Sequence, residues 1–161
     1  MRCALELTEQ LSERDDRPRY VVCAGGSCGT LSGLTLGLAL AGSDTQLAAV
    51  NISNSVPDRV ARARGIMRVP RPAPTSRRPS DLGRIRGLRV RDAHRALEAG
   101  PRNSGLTEGL VLDPVYTAKA LGGLIGEVEA GRVRHDDLVV FVHTGGTPAL
   151  FADPALYWHP D

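Results

Sequence analysis

The sequence predicts an α/β fold, with an open and mostly parallel sheet that has helices on both faces. Two observations lead to this fold class. Short apolar runs typical of buried strands alternate with longer helical patterns, and glycine-rich turns follow two of these runs, at residues 24–30 and 143–148. Parallel strands joined by right-handed crossovers bind ligands at their carboxyl ends, and the first turn lies at such an end.

The N-terminal third predicts the order helix, strand, helix, strand. Apolar residues at near-helical spacing favour a helix over residues 3–13, which Arg17 and Pro18 end. Residues 20–23 form a short apolar run typical of a buried strand. The leucine-rich residues 31–40 predict a second helix that ends near residues 42–44, and residues 46–52 predict a second strand.

The middle of the chain differs in composition from the rest. Residues 56–67 are compatible with another helix, but residues 59–102 contain thirteen arginines, and prolines are frequent from residue 70 to 79. Such a composition builds no core element. We therefore expect residues 68–105 to be an irregular or disordered insert in a single domain of residues 1–161. Nucleic-acid modules interleave aromatic side chains with basic ones, which this stretch does not, so no nucleic-acid partner is expected.

Regular structure is predicted again after residue 106. An apolar run at residues 110–112 precedes Asp113 and Pro114, an N-cap acceptor followed by a proline at the first helical position. The helix that they begin has one apolar face up to residue 128 and ends at Gly131. Residues 138–142 predict a buried strand, which leads into the second glycine turn and a short helical piece at residues 149–151.

Composition excludes several classes of protein. The chain has 161 residues and a net charge of +2, and it contains no apolar run of membrane-spanning or signal-peptide type. Its three cysteines form no Cys-x-x-Cys pair, so neither a disulfide framework nor a metal site is predicted. We expect a protein of the reducing cytoplasm with no membrane partner.

The first glycine turn has the order strand, turn, helix that makes an anion site. Backbone N–H groups and the positive end of the following helix converge there and stabilise a phosphate without a charged side chain. An ordinary connection between a strand and a helix has similar small residues, so this stretch alone leaves both interpretations open. Dinucleotide and triphosphate loops fit poorly, because the glycines are wrongly spaced and Gly29 stands where the latter has lysine.

Three blocks of the sequence together resemble one enzyme family. They are Ala-Gly-Gly-Ser-Cys-Gly-Thr at residues 24–30, Glu-Gly-Leu-Val-Leu-Asp-Pro-Val-Tyr-Thr-Ala-Lys-Ala at residues 108–120, and Phe-Val-His-Thr-Gly-Gly-Thr-Pro-Ala-Leu-Phe at residues 141–151. In this order they resemble the D-cysteine desulfhydrase and 1-aminocyclopropane-1-carboxylate deaminase family, whose members are fold-type II pyridoxal-phosphate enzymes with a three-layer fold like that of tryptophan synthase β. The resemblance covers residues 3–66 and 106–152 and corresponds to the C-terminal part of such enzymes.

The resemblance implies roles for individual residues, with pyridoxal 5′-phosphate as cofactor and a small amino acid as substrate. Tyr116 matches an active-site tyrosine that takes part in proton transfer, and Thr144 matches the hydroxyl partner of the pyridine nitrogen. The resemblance also implies that Thr117 is a cofactor-binding residue. It stands where desulfhydrases have threonine and deaminases have glutamate, which favours D-cysteine or a related β-substituted amino acid. The residues implied to hold the cofactor phosphate are Gly26, Ser27, Cys28, Gly29 and Thr30.

Plain structural roles compete with two of these assignments. On spacing alone, Tyr116 is better explained as an amphipathic core tyrosine whose hydroxyl is hydrogen-bonded locally. The competing explanation of Thr144 is a helix cap.

Several departures from the family pattern weaken the prediction of activity. Lys119 is the single lysine, and it matches a family lysine that does not bind the cofactor covalently. The lysine that does so lies in an N-terminal segment that we expect this chain to lack. Cys28 replaces a glycine in a turn that can require a positive φ, and the family's second active-site tyrosine has no counterpart.

Three hypotheses follow. The chain is half of a lyase that works with a separate chain or a second copy, or an inactive remnant of such an enzyme, or a non-catalytic phosphate-ligand binding or scaffold protein. Each of them predicts exposed strand edges and association of the isolated chain.

Overall fold

The computed structural model describes residues 1–52, 63, 65–66 and 107–151, and the backbone of residues 85–89. Three α-helices, four strands and a short 3₁₀ helix have both of their ends in these residues. In chain order they are α1 (Arg2–Glu13), β1 (Tyr20–Gly25), α2 (Gly29–Leu40), β2 (Gln46–Asn51), β3 (Ile85–Arg89), α3 (Thr117–Glu129), β4 (Val139–Val142) and the 3₁₀ helix Thr147–Phe151. The predicted helices and strands of the N-terminal third and of the C-terminal part are confirmed.

The described strands form one parallel sheet in the order β3-β2-β1-β4. Tyr20 of β1 is in register with Gln46 of β2 on one side and with Val139 of β4 on the other. All described pairings are parallel, so each strand ends at the same edge of the sheet. The turn after β1 and the turn after β4 are therefore neighbours, because the two strands are adjacent.

Helices cover both faces of this sheet, which confirms the predicted layered fold. Alternate strand residues such as Val21 and Cys23 pack with α1 and α2. The residues between them, such as Val22, pack with Ala120 and Leu124 of α3 on the opposite face. This alternation follows from the two-residue period of a strand, and it makes the strands apolar on both faces, as is typical of parallel sheets.

One strand lies within residues 68–105, which were expected to be an irregular or disordered insert. Ile85–Arg89 forms β3, which pairs with β2 from Leu47 to Asn51. The prediction was based on the average composition of the whole segment. It overlooked five residues that include an isoleucine and a leucine, and five residues are enough for a strand. The rest of that insert lies outside the described residues. Of the helix compatible with residues 56–67, only residues 63, 65 and 66 are described, and they are helical.

Candidate functional site

The first wall of the site is the turn between β1 and α2. Cys28 is the N-cap of α2 and has φ of 70°, in the left-handed region. The expectation that this position requires a positive φ is thus confirmed, and a side chain there costs about 1–2 kcal/mol relative to right-handed backbone. The Cys28 thiol contacts the carbonyl oxygen of Gly26 at 3.6 Å, while its own carbonyl accepts a hydrogen bond from Ser32 N–H at 2.9 Å.

The second wall is the turn after β4. Gly145 and Gly146 have φ of 97° and 107°, which L-residues rarely adopt, so glycine is required by the backbone at both positions. Thr144 precedes them and is exposed. Ala149 N–H donates to the carbonyl of Gly146 at 2.8 Å, which begins the short 3₁₀ helix.

The third wall comes from the residues that precede α3. The predicted start of this helix at Asp113 and Pro114 is wrong, because residues 114–116 form a turn and the helix begins at Thr117 with Tyr116 as its N-cap. The ring of Tyr116 is 44% exposed and lies beside Gly26, where a Cβ would be 3.6 Å from Tyr116 Cε1. Glycine at position 26 therefore keeps the space between the first turn and the tyrosine ring open.

These three walls enclose a cavity of about 190 Å³ at the carboxyl edge of the sheet. It brings together six of the eight residues implied by the resemblance. The lining consists of Ala24, Gly26, Ser27, Cys28, Thr30, Tyr116, Thr144, Gly145 and Gly146. Gly29 is adjacent, as the first residue of α2, but is not part of the lining.

Thr117 lies away from the cavity. It is completely buried, and its hydroxyl donates to Asp113 Oδ1 at 2.6 Å and accepts from Asp113 N–H at 2.9 Å. The resemblance placed this residue at the cofactor, whereas the geometry places it one layer behind Tyr116. The Thr117 hydroxyl therefore contacts Asp113 and does not reach the cavity.

Sequence reasoning missed the positions that hold the walls together. Gly145 and Gly146 were noted only as a turn, although their succession after a buried strand is the signal for a closely approached backbone. Asp113 was assigned only a cap. Its carboxylate also lies against Gly146, where an added Cβ would overlap it.

Electrostatics distinguish Asp113 from the buried thiol of β1. Burial acts to raise the pKa of Asp113, but the hydrogen bonds from the Thr117 hydroxyl and from the N–H groups of Thr117, Tyr116 and Val115 outweigh it and hold the pKa below its usual value. Burial, with a smaller contribution from Cys28, raises the pKa of Cys23 to about 12. The Cys23 thiol therefore stays protonated and is no nucleophile.

Two absences concern the described residues alone. No group of three or more His, Cys, Asp or Glu side chains there could hold a metal ion. Nor does any helix in those ranges have the length and apolar character needed to cross a membrane.

Comparison with known proteins connects this geometry to a family. Residues 1–145 match the sequence model of the family described as "Pyridoxal-phosphate dependent enzyme". The chain belongs to this family. The match covers the first glycine turn, the residues before α3 and the second glycine turn as far as Gly145. The predicted cofactor of the family is confirmed.

Curated relatives narrow the resemblance. The chain is 36% identical to the D-cysteine desulfhydrase of Serratia proteamaculans (strain 568) over 169 residues, which cover 99% of this chain and 48% of that protein. It is 34% identical to the D-cysteine desulfhydrase of Yersinia enterocolitica serotype O:8 / biotype 1B (strain NCTC 13174 / 8081) over 172 residues, with the same coverage. The chain thus spans about half the length of these relatives, and the resemblance to D-cysteine desulfhydrases is confirmed.

Solved structures confirm the fold. An ACC deaminase homologue superimposes with a TM-score of 0.62 at 22% identity, over 91% of this chain and 46% of that one. A threonine deaminase from T.th. superimposes with a TM-score of 0.57 at 21% identity, over 89% of this chain and 55% of that one. Both neighbours have the fold-type II architecture. The chain covers about half of each of them.

Proposed function

We propose that this chain is the part of a D-cysteine desulfhydrase-type lyase that holds the cofactor phosphate and presents the active-site tyrosine, and that it lacks activity when isolated. One observation carries the proposal. The turn before α2, the Tyr116 ring and Thr144 line a single cavity at the carboxyl edge of a parallel sheet, which is where such sheets bind ligands.

The residues of the first turn fit a phosphate group. The first N–H groups of an α-helix have no intrahelical partner, and they point towards a ligand placed at the N-terminus. Ser27 and Thr30 add exposed hydroxyls to the same wall. At Gly26 a Cβ would project towards the Tyr116 ring, so the glycine preserves room for the ligand.

The remaining walls fit the roles that the resemblance implies for them. Pyridoxal phosphate, when bound, supplies an electron sink that stabilises negative charge at the α-carbon of an amino acid. Thr144 offers a neutral hydroxyl to the ring nitrogen. In this proposal, the Tyr116 phenol holds or moves a proton at the substrate. Applied to D-cysteine and one water, such a reaction releases pyruvate, hydrogen sulfide and ammonia.

The proposal that the isolated chain is inactive rests on the position of its single lysine. Lys119 lies in α3 and is not part of the cavity lining, and no arginine replaces it, because the guanidinium stays protonated. The cavity is also smaller than the roughly 300–1,000 Å³ of usual small-molecule sites. Both observations favour completion of the site by a separate chain that supplies the lysine, because a second copy would bring only another Lys119. They also favour the alternative of a non-catalytic phosphate-ligand protein.

Titration with pyridoxal phosphate tests the proposal. The purified chain should bind it saturably, and borohydride treatment followed by mass spectrometry should find no reduced adduct on Lys119. Thr30→Val and Ser27→Ala should each weaken binding about tenfold, since a hydrogen bond to a charged group contributes about 1.5–3 kcal/mol. Thr35→Val is the matched control, because the Thr35 hydroxyl bonds Leu31 O inside α2 and lies outside the cavity.

Each other outcome has a definite meaning. An adduct on Lys119 would overturn the assignment of inactivity to the isolated chain. If simple phosphate esters bind as tightly as pyridoxal phosphate does, the hypothesis of a lyase would give way to that of a non-catalytic phosphate-ligand protein. Absence of binding in a folded chain would contradict both.

A further inference from the structure

The carboxylate of Asp113 is the meeting point of two walls of the cavity. Its Oδ2 accepts hydrogen bonds from the N–H groups of Val115 at 2.9 Å and Tyr116 at 2.8 Å. Its Oδ1 accepts from the N–H and the hydroxyl of Thr117 at 2.8 and 2.6 Å. Four donors thus fix one buried side chain, and one of these donors is the peptide group of the active-site tyrosine.

The same carboxylate lies against the second glycine turn. A Cβ at Gly146 would overlap Asp113 Oδ1 and Cγ, whereas a Cβ at Gly145 would meet nothing within 4 Å. A second tie runs parallel to this one, because His143 Nε2 lies 3.0 Å from the carbonyl oxygen of Val111. The residues before α3 are therefore held to the turn after β4 at two points.

We propose that Asp113 is a positioning residue, whose carboxylate sets the distance between the Tyr116 phenol and the Thr144 hydroxyl across the cavity. This inference rests on the proposed function for its purpose. Asp113 touches no ligand in this arrangement, since it is not part of the cavity lining. Thr117 then acts on the site through Asp113, by holding the carboxylate in its rotamer.

Physical chemistry makes a carboxylate the appropriate group. It accepts hydrogen bonds without donating any, so it can satisfy three adjacent N–H groups and a hydroxyl at once. An asparagine offers one acceptor oxygen and an NH₂ group that opposes the N–H donors. Functional groups must be held within about 0.5 Å of the productive geometry, and the buried Asp113 contact with Gly146 provides such a fixed spacing.

The coupling can be tested first without any ligand. In ¹⁵N–¹H NMR spectra of the apo chain, Gly146→Ala should shift the Tyr116 amide resonance, because the new Cβ displaces the Asp113 carboxylate. Gly145→Ala is the matched control, because it adds similar backbone strain at a positive φ without a contact with Asp113, and it should shift that resonance clearly less. Equal shifts in both variants, or none in either, would overturn the inference whatever the ligand proves to be.

Two probes then separate positioning from folding. Inorganic phosphate reports on the first turn alone, whereas pyridoxal phosphate is large enough to reach Tyr116 and Thr144. Asp113→Asn and Thr117→Val should keep the phosphate affinity within about twofold and weaken pyridoxal phosphate by about tenfold, a difference of about 1.4 kcal/mol. If Asp113→Asn does not fold, the inference is tested with Thr117→Val and with the two alanine variants, Gly146→Ala and Gly145→Ala. Parallel losses for both probes would show a merely structural role and overturn the inference.

Failure of the proposed function would look different. In that case the wild-type chain would bind neither probe, while the amide shifts of the apo chain would still support or contradict the coupling of Asp113 to Gly146.

Discussion

Arg19 Nη1 donates a hydrogen bond to Asp137 Oδ1 over 2.9 Å and so joins the residue before β1 to the turn before β4. The backbone repeats this link, because Arg19 N–H donates to the carbonyl of Leu138 at 2.9 Å. The Asp137 side chain is only 5% exposed and also accepts from Arg134 N–H. This cluster fixes the sheet at the edge opposite the cavity.

The first prediction concerns the pH dependence of this cluster. The Arg134 N–H, and after it the Arg19 guanidinium, hold the pKa of Asp137 below its usual value against the opposing effect of burial. The stability that Asp137 provides is therefore fully present above about pH 4, the unfolded pKa, and is lost as the pH falls through the lower folded pKa. Asp137→Asn should unfold at a lower urea concentration than wild type at pH 7, and the difference should shrink below pH 4.

A matched control is available nearby. Asp15 pairs with Arg17, but both side chains are almost fully exposed, and exposed pairs contribute little to stability. Asp15→Asn should therefore leave the urea midpoint unchanged at both pH values. An equal effect of the two variants would contradict the role given to Asp137.

The second prediction concerns backbone strain at Cys28. Its φ of 70° costs a side chain about 1–2 kcal/mol, whereas glycine avoids this cost but loses about 0.5–1 kcal/mol through its freedom in the unfolded chain. Cys28→Gly and Cys28→Ala both remove the thiol, and only the first relieves the strain. Cys28→Gly should therefore have a free energy of unfolding up to about 1.5 kcal/mol higher than Cys28→Ala in urea titrations. The reverse order would show that position 28 is not strained.

Local signals made most of the fold predictable from the sequence. The apolar runs of β1, β2 and β4 are properties of short windows, and so are the glycine turns that follow two of them. β3 was missed because its window is short and surrounded by arginine and proline. The pairing of β3 with β2 is a long-range contact that no local pattern encodes.

The candidate site was only partly predictable, for a related reason. The family resemblance implied a role for each residue separately, without saying which of them lie together. Six of these residues line one cavity. The inward rotation of Thr117 onto Asp113 depends on where the turn at residues 114–116 places the start of α3, which differs by three residues from the sequence prediction. The contact between Asp113 and Gly146 joins segments that are far apart in the chain.

The third prediction compares two glycines inside helices. A Cβ at Gly126 in α3 would meet nothing within 4 Å, so Gly126→Ala should raise the free energy of unfolding by about 0.5–1 kcal/mol. Gly37 in α2 faces α1, where a Cβ would overlap the Ala4 side chain. Gly37→Ala should instead lower stability, by about 1–3 kcal/mol. Urea unfolding of the two variants checks the opposite signs, and stabilisation by Gly37→Ala would contradict the packing of α1 on α2.

The last prediction is that the isolated chain self-associates through the surface around β4. Among the described strands, β4 has a neighbour on one side only, and its four residues are half-buried. Phe151 is 80% exposed close to the end of this strand in the chain, and Leu138 at its start is exposed as well. Edge strands with apolar surroundings pair with other chains, so sedimentation velocity should show a mean mass that rises with concentration. Phe151→Ser should reduce this association while changing the free energy of unfolding by no more than about 0.5 kcal/mol.

Leu40→Ser, which replaces an exposed leucine at the end of α2, should leave the association unchanged. A monomer at all concentrations would contradict the prediction, and equal effects of the two variants would assign the association to general hydrophobicity instead of to β4.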